Sequence, residues 1–133
     1  MKNIIRLIVI VLLAITSYSC TGNMIYFDMK DQTVKTCEKQ RIVRLNIETD
    51  KGIYFVSLKK EEKGSNSFSL EKIDDQYEVE YKWEIIKNSS FKLEPNTEYI
   101  VRHTSDGDAA DGRIHIKTDS LGAVCYADRT DCH

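Results

Sequence analysis

The chain has 133 residues, with 19 basic against 21 acidic side chains, four cysteines, one proline and one tryptophan. Setting aside an N-terminal apolar leader that holds Lys2 and Arg6 leaves 17 basic against 21 acidic residues, a net charge of −4. Such a surface offers no electrostatic footprint for nucleic acid and does not draw anionic lipid, so nucleic-acid binders and charge-driven membrane binders are excluded.

Lys2 and Arg6 form a basic start, Leu7 to Ile15 is an unbroken apolar run, and Ser17-Tyr18-Ser19 are small or polar residues ahead of Cys20. That order is a secretory signal. The run is too short for a spanning helix, which needs about 20 apolar residues. Residues 1–19 are therefore expected to be a signal peptide and 20–133 a single domain.

Ser17-Tyr18-Ser19-Cys20 resembles a bacterial lipobox, of the relaxed kind that ends in Ser-Cys in Bacteroidota lipoproteins. The position usually held by leucine is Ser17. The resemblance implies a lipid on Cys20, which would become the mature N-terminus. It also implies a location in the cell envelope, facing the periplasm or the exterior. Cleavage after Ser19 by an ordinary signal peptidase is the other reading, since Ser-Tyr-Ser passes as a small-x-small site.

If Cys20 carries lipid, three cysteines remain for disulfide chemistry in an oxidising compartment. Cys125 and Cys132 bracket a short polar tail, and their closeness makes pairing entropically cheap, so Cys125–Cys132 is the expected bond. Cys37 with either of them is the rival.

Beyond the tether Thr21 to Asn23, alternation dominates. Val43, Leu45 and Ile47 alternate with Arg44 and Asn46, and Asp50-Lys51-Gly52 turns the chain. Ile53 to Leu58 is apolar on both faces, as an inner strand is. Lys59 to Asn66 is charged and turn-forming. Tyr77, Val79, Tyr81, Trp83 and Ile85 alternate with Glu78, Glu80, Lys82 and Glu84, which predicts one long strand with the aromatics on its core face. Phe91 and Leu93, Tyr99 and Val101, and Ile114 and Ile116 repeat the pattern. Short strands parted by turns, with no 3.6-residue period, predict an all-β antiparallel sandwich.

Leu93-Glu94-Pro95-Asn96-Thr97-Glu98-Tyr99-Ile100-Val101 resembles the E–F corner of fibronectin type III and related immunoglobulin-like domains, whose pattern is Leu-x-Pro-x-Thr-x-Tyr-x-Val. The resemblance implies a small immunoglobulin-like β-sandwich, with Tyr99 buried and its hydroxyl bonded to backbone a few residues upstream. Fibronectin domains carry a tryptophan early, in their second strand; the tryptophan here is Trp83.

Asp106, Asp108 and Asp111 sit in a glycine-bearing loop with the flavour of a calcium site. An EF-hand spacing from Asp106 puts Lys117 where the bidentate acid belongs, so the loop is read as a solvated turn. His103 and His115 flank that loop, but strand register sends their imidazoles to opposite faces, against a zinc site. With no nucleophile elbow, zincin motif or phosphate loop, no catalytic residue, cofactor or metal is expected. Asp119-Ser120-Leu121 is similar to the O-glycosylation sequon of Bacteroidota, which would modify Ser120.

Acidic residues are the candidate contacts: a Glu78, Glu80 and Glu84 stripe and the Asp106–Asp111 loop, suited to a basic protein partner. The expected function is binding without catalysis, in adhesion or assembly. The alternative is an inhibitor such as an immunity lipoprotein that neutralises a delivered toxin.

Overall fold

The computed structural model describes residues 2–6, 8, 23–105 and 112–133. Among these residues, ten strands make two antiparallel sheets: β1 (Ile25–Asp28), β2 (Thr33–Thr36), β3 (Arg44–Thr49), β4 (Gly52–Leu58), β5 (Ser67–Ser69), β6 (Tyr77–Tyr81), β7 (Glu84–Ile86), β8 (Glu98–Thr104), β9 (Gly112–Thr118) and β10 (Val124–Ala127). The small sheet runs β1-β2-β5 and the large one β10-β9-β8-β3-β4-β6-β7. The all-β sandwich expectation holds. Its strands divide three against seven, where an immunoglobulin constant domain divides four against three.

Alternation sets which side of each strand enters the core. Ile25, Phe27, Val34 and Phe68 of the small sheet meet Leu45, Ile47, Val56, Tyr77, Val79, Val101, Ile114 and Ile116 of the large one, all buried. Each such side chain contributes about 1.5–3 kcal/mol of transfer free energy. β4 is an inner strand, paired with β3 and β6 as its doubly apolar sequence implies. Tyr77 is buried at 1 % exposure, and its hydroxyl donates to the Ile42 carbonyl at 2.8 Å while accepting from the Ser65 amide at 3.1 Å.

The corner at Pro95 carries the hydrogen bond that its pattern implies. Tyr99 is 3 % exposed, and its hydroxyl accepts from the Glu94 amide at 2.8 Å. Buried Thr118 completes the corner, donating to the Glu94 carbonyl at 2.6 Å and accepting from the Thr97 amide at 2.9 Å. Tyr99→Phe should cost about 1 kcal/mol, since the Glu94 amide loses its acceptor. Val101→Ala, with its side chain fully in the core, should cost about 2 kcal/mol and Ile100→Ala less. Chemical denaturation of the three variants checks the order, and a greater sensitivity at Ile100 would reverse the assigned facing.

Several expectations are corrected. The Tyr77 to Ile85 segment is not one strand: it folds back at Lys82-Trp83, both at positive φ (50° and 69°), into the β6–β7 hairpin. Trp83 is consequently 93 % exposed and Ile85 68 %, while Tyr81 stacks on Tyr54 with ring centroids 4.3 Å apart. Phe91 is buried edge-on against Tyr54, but Phe91–Leu93 lies outside any strand.

The disulfide joins Cys37 to Cys132, not Cys125 to Cys132; Cys125 is a free, exposed thiol. The physical reason is that the tail is not loose. β10 pairs with β9, the Phe27 amide donates to the Arg129 carbonyl at 3.0 Å, and the Asp128 amide donates to the His115 carbonyl at 3.0 Å. These bonds carry Cys132 to within a Cα distance of 5.6 Å of Cys37.

Candidate functional site

The strands give the sandwich two poles. At one, the Asn23 backbone lies over Gly112, where the end of β8 meets the start of β9. The Asn23 carbonyl accepts from His103 Nδ1 at 3.1 Å, and its side-chain oxygen accepts from the Ser105 hydroxyl at 2.7 Å. His103 is fully buried, and burial holds its pKa below the ordinary value, with the Asn23 bond opposing. Facing a carbonyl, Nδ1 carries the proton of a neutral imidazole, and Nε2 has no partner among the described residues. The Cys37 amide donates to the Met24 carbonyl at 2.9 Å, so the disulfide belongs to this same pole.

β3, of six residues, and β8, of seven, run from here to the opposite pole, about 20 Å away. There the Asp50-Lys51 turn, the Pro95 corner, the Lys82-Trp83 turn and the Asp119–Gly122 turn come together at the far ends of their strands. A cleft of about 610 Å³ opens between the first two, lined by Glu48, Asp50, Glu94 and Glu98 with Lys51 and His115. Lys51 Nζ sits 2.9 Å from Glu94, whose hydrogen bond is the main cause of the raised ammonium pKa. Arg102 Nε lies 3.1 Å from Glu48, and Lys117 Nζ lies 3.3 Å from Glu98. Trp83 and Leu121, 93 % and 89 % exposed, are the least covered large apolar side chains among the described residues.

The acidic residues singled out in the sequence do not form one stripe. Glu78 and Glu80 point to the outer face of the large sheet, cross-strand from Ser57 and Phe55. Glu84 pairs with Tyr81 on the sandwich-facing side, because the hairpin inverts the alternation. Asp106, Asp108 and Asp111 lie outside the described residues, as does Cys20. Ser120 is exposed in its turn. His103 and His115 do point to opposite faces, with His103 cross-strand from Gly112. Among the described residues, no three His, Cys, Asp or Glu side chains are placed to hold a metal ion, and no helix is long and apolar enough to cross a membrane.

Sequence reasoning missed the cleft. Its parts, a turn and a corner, were visible separately, but only the Glu48–Ile100 pairing of β3 with β8 joins them. Compared with known proteins, the chain matches no family model, and no curated protein or solved structure is detectably similar.

Proposed function

We propose that the mature chain is a non-enzymatic cell-envelope lipoprotein, anchored through Cys20, that binds another protein in adhesion or assembly. Trp83 carries this reading. A tryptophan in a two-residue turn at positive φ costs about 1–2 kcal/mol of backbone strain, and folding recovers nothing from a ring left 93 % exposed. Strain and exposure at one residue mark a recognition element, and tryptophan is the side chain most enriched among binding hot spots.

The rim of the cleft at the same pole favours a basic partner, with Asp50 of the turn and Glu94 of the corner turned toward it. Anchoring supports the arrangement. Cys20 precedes Asn23 by three residues, so the lipid would sit beside the His103 pole and the Trp83 pole would face away from the membrane. Ile4, Ile5 and Ile8 are exposed, so these apolar side chains of the leader find no burial against the sandwich.

Two measurements on the full-length tagged protein test the reading. Cys20→Ala should abolish metabolic palmitate labelling; a variant still labelled and membrane-bound would end the lipoprotein claim. Trp83→Ala should weaken binding of the co-purifying envelope partner by about 30-fold or more, with the melting temperature unchanged. Lys60→Ala, on an exposed loop at the other pole, should do neither. Multiple-turnover conversion of a substrate would overturn a binding role.

A further inference from the structure

Two flanking strands of the outer face of the large sheet carry opposite charge. β9 presents Arg113, His115 and Lys117, all exposed, and β6 presents Glu78 and Glu80. Between them lie Ile100 of β8 and Ile53 and Phe55 of β4, the phenyl ring 45 % exposed. Phe55 is exposed, and Ile53 and Ile100 are half-buried on either side of the polar Asn46 and Glu48 of β3.

Strand order gives the face a centre. In β10-β9-β8-β3-β4-β6-β7 the middle strand is β3, with basic β9 two places to one side and acidic β6 two places to the other. Register gives it rows. Arg113, Arg102, Asn46, Phe55, Glu80 and Ile85 form one continuous cross-strand row, and His115, Ile100, Glu48 and Ile53 form the next.

From this pattern we infer that the outer face is a homodimer interface, with the two-fold axis running along β3 so that Arg113 of each copy meets Glu80 of the other. Rotation about that axis exchanges left and right but keeps height along the strands. It lays β9 on β6 and β8 on β4 of the second copy: Arg113 on Glu80, Arg102 on the Phe55 ring, and Ile100 on Ile53. Glu48 lies on the axis opposite its own copy, and Arg102 of the same chain, 3.1 Å away, compensates its charge. The other in-plane two-fold, across the strands, would lay β6 on β6 and β9 on β9, setting like charge against like. Charge therefore selects the first axis. That axis also leaves both Asn23 poles at one end, as two chains anchored in one membrane require, although the selection itself does not use the lipoprotein reading. The large sheet has seven strands, spaced about 4.8 Å apart, and its projected face is on the order of 600 Å². Side-chain relief brings that toward the ~800 Å² per partner of a standard interface. The dimer would set two Trp83 poles side by side and give bivalent display.

The test uses the full-length chain in membranes, with Cys125→Ser removing the exposed thiol and serving alone as the blank. Asn46→Cys places a thiol on the axis. A bismaleimide spanning about the 10 Å between packed sheets should link two copies, with a yield about tenfold above that from Ser120→Cys on the exposed turn. Glu80→Arg or Arg113→Glu alone should cut the yield about tenfold, and the double exchange should restore it. A yield no higher than from Ser120→Cys, or one that neither reversal lowers, overturns the dimer. Loss in both single variants without rescue in the double overturns the Arg113–Glu80 pairing and the axis with it.

Discussion

Breaking the Cys37–Cys132 bond should destabilise the domain by about 3–4 kcal/mol, the largest single effect expected in this protein. The two cysteines are 95 residues apart, so the bond closes most of the sandwich into one loop. The chain-entropy relation gives roughly 4.7 kcal/mol at that length as an upper figure. For a domain of this size the melting temperature should fall by 10 °C or more, at about 4 °C per kcal/mol. Local structure adds to the effect, because the disulfide ends a tail that bonds β1 through Phe27 and β9 through His115. Cys132→Ser and Cys37→Ser should therefore melt alike, with or without reductant. Cys125→Ser, at an exposed site, should stay within about 0.5 kcal/mol of the parent. Thermal melts of the three variants decide it. Equal sensitivity at Cys125 and Cys132 would restore the short-range pairing and sink the long-range one.

That pairing shows where sequence reasoning reached its limit. Proximity along the chain favoured Cys125–Cys132, but the entropic preference for a short loop governs only a chain with no other order. β10 and the bonds of Asp128 and Arg129 order this tail, and they point Cys132 toward Cys37. Alternation was legible wherever the strand was long and its turns carried glycine or aspartate, as at Asp50-Lys51-Gly52 between β3 and β4. The Pro95 corner was legible down to the Tyr99 hydroxyl, because one local motif specifies it. The β6–β7 hairpin was not. Its turn is Lys82-Trp83, with neither Asn nor Gly, so the alternation of Tyr77 to Ile85 reads straight through a reversal made by two non-glycine residues at positive φ. β1, β2 and β5 were illegible for another reason: they are three or four residues long, too short for a period to register. Of the candidate contacts, Glu78 and Glu80 kept their shared face, and Glu84 lost it to the same hidden turn.

Gly112→Ala should be the most damaging conservative substitution, costing about 3 kcal/mol. A Cβ there would lie 1.8 Å from the Asn23 carbonyl oxygen, 2.6 Å from its carbon and 3.1 Å from the Met24 Cα, all of them backbone. Relief would require the chain to move, and it is fixed on both sides. His103 and Ser105 hold Asn23, and the Cys37 amide holds Met24. Overpacking costs about 1–3 kcal/mol where neighbours can adjust, so a clash with clamped backbone belongs at or above the upper end. If Asn23 yields instead, the buried His103 Nδ1–H loses this acceptor, a further penalty of about 1–3 kcal/mol. The substitution thus forces a choice between two costly outcomes. Gly122→Ala makes the contrast, since its closest contact would be the Leu93 carbonyl oxygen at 2.9 Å, at a φ of +84°, on an exposed turn. Denaturant unfolding should place Gly112→Ala at least 1 kcal/mol below Gly122→Ala, with native-state hydrogen exchange accelerated first in β1. Equal stability of the two variants would mean that Asn23 is free to leave Gly112. The segment next to Cys20 would then not orient the domain, and the proposal that the Trp83 pole faces away from a membrane would lose its support.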